Sequence, residues 1–516
     1  LTDAQSPRRG RLFITLLTAL LCGAASVTAF APFGWWPVLI VTLGVFFALI
    51  YDSPSVRAAT AVGYAFGLGL FGAGVHWIYY SLHLFGGAIA AVAAIGTAIF
   101  VVLLAILPAV FARLVRARKT APVRWFLLLV PAAWLLLEWT KTWLLTGFPW
   151  LNIGYSTIAS PLAGFAPVGG VLLSSLMLVL LAAGCGLVLT VRRVPVTIAC
   201  LVLALAIFGG GFGLQQISWT QPDGQPLSVT MVQGNVAQEN KFRDELLSES
   251  LAIYTDLSRS GADLVIWPET AVPTFFFEVD GYLDDFATAI ARNGSTVLSG
   301  GFEVNAEGSE YYNAIKVLGG TDEQIYTKRH LVPFGEFIPF RGVLTMLADL
   351  ITIPMSDLSP GRGPVKPIEI DGIHYGMSIC YEDAFGAEMR VQLPLANVLV
   401  NVSNDAWFGD SMAPHQHLEM AAMRSLEFGR PMLRATNTGI TAHISARGEI
   451  LSRAPQFQQS AIDVEVIPRS GSTPYVRVGD WLAVGAAMLL LLLFFAIDQW
   501  FGRERANDYA GKDTAV

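Results

Sequence analysis

Charge is scarce in this chain: 14% of its 516 residues are Asp, Glu, Lys or Arg, against 53% hydrophobic residues and a positive mean hydropathy. That balance excludes an ordinary soluble protein of this length, and several segments must lie in lipid. Cysteine is scarce too. Of four cysteines, Cys22, Cys185 and Cys200 fall in long apolar runs and only Cys380 stands in the polar stretch. No disulfide partner exists for it there, so the thiol is either sheltered or functional. Lys and Arg are missing from the loops near 31–35, 81–86 and 146–166, and they are outnumbered across 217–480, where 18 of them face 33 Asp and Glu. That stretch therefore carries −15 and the rest of the chain +8. A domain so acidic is a poor nucleic-acid binder, and anionic headgroups repel it, so any contact with a membrane surface must come from apolar groups.

A spanning helix needs ~20 mostly apolar residues. Such runs fall at about 11–30, 36–51, 58–80, 87–112, 123–145, 167–190, 195–215 and 481–500, predicting eight transmembrane helices, seven before the polar insert and one after it. Basic residues sort to one side. Arg8, Arg9 and Arg11 precede the first run, Arg57 follows the second, Arg113, Arg116, Arg118, Lys119 and Arg124 follow the fourth, Arg192 and Arg193 follow the sixth, and Arg503, Arg505 and Lys512 follow the last. Because such residues stay cytoplasmic, both termini are expected in the cytoplasm and the insert outside it. The expected domains are a membrane domain at 1–216, an extracytoplasmic domain at 217–480, and a closing helix with its tail at 481–516.

Trp35, Trp36, Trp143, Trp150, Trp481 and Trp500 lie near predicted span ends, as amphipathic rings at the headgroup level do. The first run is too long for a signal-peptide core, despite the cleavage-like Ala29-Phe30-Ala31, and reads as retained. A start at Leu1 rather than Met suggests trimming or tagging. Glu138 and Lys141, three apart at the outer end of the fifth run, read as a structural pair or a contact to a lipid headgroup.

Within 217–480, β-rich runs at Leu227–Gln233, Leu264–Trp267, Thr296–Phe302, Asn313–Val317, Ile373–Ile379, Asn397–Val402, Met432–Thr436 and Ala442–Ile444 alternate with helical spacing at 241–260, 281–293 and 414–429. Strands alternating with helices predict one layered α/β domain. Three segments carry its chemistry: Asp263-Leu-Val-Ile-Trp-Pro-Glu269, Tyr326-Thr-Lys-Arg-His-Leu-Val-Pro-Phe-Gly-Glu336 and Met377-Ser-Ile-Cys-Tyr-Glu-Asp383. Alone, Cys380 reads as a buried structural cysteine, Glu269 as a cap or ion-pair carboxylate, and Lys328 as half of a solvated charge pair with Arg329. Together they supply a nucleophile, a proton acceptor and a cation. His415 and His417 are two apart on a helix start and face different ways, so no metal site is expected.

In these segments, in Val232-Gln-Gly-Asn235 and in Asn401-Val-Ser-Asn-Asp-Ala-Trp-Phe-Gly409, the chain resembles the nitrilase superfamily, and with its spans it is similar to that superfamily's membrane-embedded, lipoprotein-acylating branch. The resemblance implies a multi-pass α-helical bundle in the bacterial inner membrane, carrying an αββα sandwich on the periplasmic side. It also implies a Glu269, Lys328, Cys380 triad. Cys380 would take a fatty acyl group from a phospholipid as a thioester, and the group would pass to the N-terminal amine of a diacylglyceryl-modified apolipoprotein in a ping-pong reaction without a cofactor. Glu269 would act as general base and acid. Lys328 and the backbone N–H of Tyr381 would hold the oxyanion, with Glu336 and Glu382 orienting Lys328 and the pocket.

Phe275, Phe276 and Phe277, together with 344–353, read as apolar arms that admit acyl chains or else as core; Trp407 and Phe408 read as a further rim. Two rival readings are a membrane-anchored amidase or nitrilase-type hydrolase, which needs no such arms, and a silent scaffold, which needs no filled triad.

Overall fold

The computed structural model describes residues 6–258, 261–319, 323–338 and 357–513. It divides into two compact units, one of Leu1–His76, Ala98–Gln216 and Asp480–Val516, the other of Trp77–Thr97 and Ile217–Gly479.

The first unit is helical. Its helices include α1 (Ser6–Ser26), α2 (Pro37–Asp52), α3 (Val56–Gly74), α4 (Ala90–Ala117, entering from the second unit), α5 (Pro122–Lys141), α6 (Ala166–Val191), α7 (Val194–Gln215) and the closing helix Trp481–Asp513. Among the described residues, seven helices are long and apolar enough to cross a bilayer. The remaining expected span, the second at 36–51, is α2, apolar but only 16 residues long. At 1.5 Å per residue it measures about 24 Å, short of a ~30 Å hydrocarbon core. Seven of the eight expected spans thus correspond to long apolar helices among the described residues, and the remaining one to this shorter apolar helix.

Small residues let α1 and α3 approach, since a Cβ on Gly23 would lie 2.0 Å from Phe66 O and one on Gly69 2.0 Å from Leu20 O. Such packing suits lipid, where apolar surface offers helices no reason to associate. Glu138 and Lys141 are buried. Glu138 Oε1 accepts the Ile153 N–H at 2.8 Å and Lys141 Nζ donates to Trp150 O at 3.2 Å, tying the end of α5 to the following loop. Trp150 is buried, whereas Trp35, Trp143, Trp481 and Trp500 are exposed.

The second unit is α/β. Two six-stranded sheets run β13-β2-β3-β4-β5-β6 and β12-β11-β10-β9-β8-β7. The first contains β2 (Leu227–Gln233), β3 (Leu264–Ile266), β4 (Thr296–Val304), β5 (Tyr311–Leu318), β6 (Ile325–Thr327) and β13 (Ser460–Val466). The second contains β7 (Ile368–Ile370), β8 (Ile373–Ile379), β9 (Val398–Ser403), β10 (Met432–Thr436), β11 (Ala442–Ile444) and β12 (Ile450–Arg453). β1 (Thr220–Pro222) pairs with β14 (Arg469–Gly471) apart from both.

The central strands β2-β3-β4 and β8-β9-β10 are parallel. Their near-continuous burial explains the unbroken apolar runs in the sequence. Helices α8 (Leu247–Leu257) and α9 (Asp280–Ala291) put Leu251, Tyr254, Leu283, Ala287 and Ile290 into one core with Val265, Trp267 and Val297 of the first sheet. Helix α10 (Ala413–Phe428) is buried along almost its whole length. Gln233 joins the sheets, its Oε1 accepting from Thr441 N–H at 3.3 Å and Thr436 Oγ1 at 3.5 Å.

The third predicted span, 58–80, ends instead at Gly74. Residues 78–85 form a separate helical stretch that groups with the α/β unit.

Candidate active site

Parallel strands end together, and in open α/β sheets the carboxyl ends of strands gather functional side chains. Asn235 follows β2, Glu269 follows β3, Cys380 follows β8, Asn404 follows β9 and Asn437 follows β10. Asn235, Thr270, Phe334 and Cys380 all have positive φ, at 49°, 50°, 62° and 52°. Non-glycine residues in that region are uncommon, and they cluster where surrounding structure fixes a functional turn.

Cys380 opens the turn Cys380–Ala384 directly after β8. Its carbonyl is held by Asn401 Nδ2 and His417 Nε2, each at 3.3 Å. Burial, then the charge of Glu269, push the thiol well above its ordinary range, while Lys328 and a hydrogen bond with Ser403 pull it down.

Glu269 and Lys328 are 6% and 1% exposed. Lys328 Nζ donates to Glu269 Oε1 at 3.3 Å and to Glu336 Oε1 at 2.8 Å. Burial works against this ammonium, but Glu269 and Glu336 more than offset it and raise its pKa. Asn313 Nδ2 bridges the same two carboxylates at 2.7 and 3.1 Å, and the Asn404 N–H donates to Glu269 Oε2 at 2.8 Å. Glu336 Oε2 accepts the Val332 N–H at 2.8 Å, closing its own Pro-Phe-Gly turn.

Glu382 works on the backbone. Its Oε1 accepts from the N–H groups of Arg329 at 2.7 Å and His330 at 3.1 Å, its Oε2 from Ile379 N–H at 2.7 Å and Tyr326 OH at 2.9 Å. One carboxylate thus fixes the strand that delivers Lys328 against the turn that delivers Cys380. The Tyr381 ring packs edge-on against Phe385 at 5.0 Å.

The phenylalanine run divides. Phe276 is fully buried in the core with Val272 and Trp267, Phe275 is half-buried against Phe302 and Tyr311, and Phe277 is 57% exposed. The other expected arm, 344–353, lies outside the described residues. Phe408 is buried edge-on against Trp77 at 4.8 Å, Trp407 is half-buried near Phe85 at 5.8 Å, and Ser81 Oγ donates to Trp407 O at 2.7 Å. The stretch 77–85 thereby grips the loop whose Asn404 holds Glu269.

Sequence reasoning missed what lies beneath the thiol. His417, Asp383, Asp405 and Arg434 form a buried quartet, with His417 3.0 Å from Asp405 and 2.9 Å from Asp383, and Arg434 3.1 and 2.9 Å from the same two carboxylates. The two-residue spacing of His415 and His417 argued against a metal but hid this role. Asn313 carried no sequence signal, whereas Asn404 and Asp405 lie inside the Asn401–Gly409 motif.

A two-sheet α/β unit with these groups at its strand ends, borne by a chain with long apolar helices, defines a membrane-associated carbon–nitrogen hydrolase-type protein, and residues 228–475 match the carbon–nitrogen hydrolase family model. Residues 22–184 match that of the apolipoprotein N-acyltransferase N-terminal domain. Similar proteins include apolipoprotein N-acyltransferases of Nitrosomonas europaea (42% identity over 96% of this chain and 99% of the relative), Methylococcus capsulatus (42%, 93% and 96%) and Pseudomonas syringae (40%, 93% and 95%). The chain belongs to the apolipoprotein N-acyltransferase family.

Proposed function

We propose that this protein moves a fatty acyl group from a membrane phospholipid, through a thioester on Cys380, to the N-terminal amine of a diacylglyceryl-cysteine on an apolipoprotein. The observation that supports this reading is one buried ammonium, Lys328, shared by Glu269 and Glu336, in a site where burial and the charge of Glu269 raise the Cys380 thiol and the charge of Lys328 lowers it. In the first step Cys380 Sγ attacks the ester carbonyl while Glu269 takes the thiol proton. Lys328 and the Tyr381 N–H stabilise the oxyanion. The carbon–oxygen bond then breaks, and the proton held by Glu269 passes to the departing lysophospholipid oxygen.

In the second step the amine attacks the thioester, Glu269 accepts its proton, the carbon–sulfur bond breaks, and the proton returns to sulfur. The amine has pKa ~8, so part of it is neutral at physiological pH. In this reading residues 217–480 are the catalytic domain on the periplasmic side of the inner membrane, with 1–216 and 481–516 anchoring it and both termini in the cytoplasm. Phe275 and Phe277, with Phe276 as their core support, border the path of the acyl chain. Trp407 and Phe408 anchor the loop whose Asn404 N–H holds Glu269.

Intact mass of the full-length protein after exposure to phospholipid tests the reading. A hydroxylamine-labile acyl adduct on Cys380, discharged by a diacylglyceryl-cysteine peptide, is expected. Steady release of free fatty acid without an adduct would replace the transferase with a hydrolase.

A further inference from the structure

A second buried lysine stands at the candidate base. Lys241 ends the short helix Gln238–Lys241 that follows β2, is 2% exposed, and donates to the main-chain carbonyl of Glu269 at 3.1 Å. No other hydrogen-bond partner for its ammonium occurs among the described residues. The helix is firmly seated. Asn437 from the other sheet bonds Val236 through both N–H and carbonyl at 3.0 and 2.8 Å, and Gln238 Oε1 accepts from Asn404 Nδ2 at 2.8 Å. Glu269 is thus gripped at its carboxylate by Asn313, Asn404 and Lys328 and at its backbone by Lys241.

A carbonyl needs only a neutral donor, and burying an ammonium is costly unless its charge is used. Burial pushes the Lys241 pKa down to about 7, and the charge of Glu269 draws it back up. Among the described residues, the charged and titratable groups facing Glu269 are Lys328 directly after β6, Glu336 from its turn, Cys380 from the turn after β8 and Lys241 from the short helix. With Lys241 protonated, two carboxylates meet two ammonium groups. When Glu269 takes the thiol proton its negative charge passes to the tetrahedral oxyanion, and the same two cations still balance the site.

We infer that Lys241 is a positioning residue for Glu269, fixing the base by its carbonyl and keeping a second cation beside it in both half-reactions. This rests on the assignment of Glu269 as base.

The test uses full-length enzyme in lipid nanodiscs and follows single-turnover acylation by phospholipid from pH 5.5 to 9, read as adduct mass. Removing a nearby positive charge makes the carboxylate hold its proton more tightly, so Lys241→Met should move the acid limb of the acylation profile up by about 1 unit or more and lower the rate constant with little change in donor KM. Lys241→Arg, which keeps charge and donors, should keep the wild-type limb, and it serves alone if Lys241→Met does not fold, a displaced limb in Lys241→Arg then counting against the inference. A Lys241→Met profile scaled down but not displaced would overturn it, as would a Lys241→Arg enzyme displaced like Lys241→Met. Glu269→Gln separates the two levels. If that variant acylates at the wild-type rate, the base assignment itself fails. If it is inactive while the Lys241→Met limb stays put, only the role of Lys241 fails.

Discussion

Replacing Glu269, the proposed base, should make the Cys380 thiol easier to alkylate while it stops acyl transfer. The Cys380 thiol is held up first by burial and next by the charge of Glu269, and Lys328 opposes them. Glu269→Gln removes the negative charge and leaves Lys328 in place, so the thiol pKa must fall. Loss of one such neighbour is worth about 1–3 units. Each unit raises the thiolate fraction tenfold while its intrinsic nucleophilicity falls with a Brønsted slope of about 0.4–0.5, leaving a net gain of roughly three- to fourfold per unit. Iodoacetamide labelling at pH 7.5, resolved by peptide mass spectrometry so that Cys22, Cys185 and Cys200 are scored apart, should show Cys380 reacting at least about threefold faster in Glu269→Gln than in wild type. Lys328→Met should react more slowly than either. An unchanged or slower Cys380 rate in Glu269→Gln would refute the view that this carboxylate sets the thiol's protonation.

Glu336→Gln presents an amide N–H₂ either to the Val332 N–H or to Lys328 Nζ, donor against donor in a mostly buried place; it should cost about 1–3 kcal/mol in thermal melts and reduce acylation by about 10²–10³. Phe277→Ser, at an exposed ring, should leave the melting temperature unchanged and slow turnover of long-chain donors, while Phe276→Ser, in the core, should cost about 3–5 kcal/mol and show as a lower melting temperature; equal turnover of long and short donors by Phe277→Ser would refute the acyl-path reading. Burial and Arg434 oppose a charge on His417, but Asp383 and Asp405 prevail and push its pKa up to about 9. A raised folded-state value stabilises fully below the unfolded ~6.5 and is lost as pH rises through the folded one. Scanning fluorimetry should therefore show the α/β unit losing stability between pH ~6.5 and 9, with a flatter slope in His417→Gln.

Central strands were legible because burial on both faces writes them as continuous apolar runs, as in Leu227–Gln233 and Met432–Thr436, whose expected bounds coincide with β2 and β10. Edge strands were not. β13 alternates half-buried and exposed positions over Ser-Ala-Ile-Asp-Val-Glu-Val, and β6, β7 and β14 are three residues long, too short for any period to show. The second expected span proved to be an apolar helix of 16 residues, because hydropathy measures composition rather than length.

At the site, local pattern named Glu269, Lys328 and Cys380, each beside a strand end or a turn. The groups that hold them come from distant stretches of chain: Asn313 lies 44 residues from Glu269, Asn404 lies 135 residues from it, and Lys241 lies 28 before it. The reason is physical. A reacting group needs a particular chemistry and so leaves a residue type to be recognised, whereas a supporting group needs only a donor at the right point in space, which many residue types and many chain positions can supply. Lys241 is the exception among the supports, because a donor to a carbonyl need not be charged. Its choice of residue type therefore carries information that Asn313 and Asn404 do not, and it is the place where a charge, rather than a hydrogen bond alone, has to be explained.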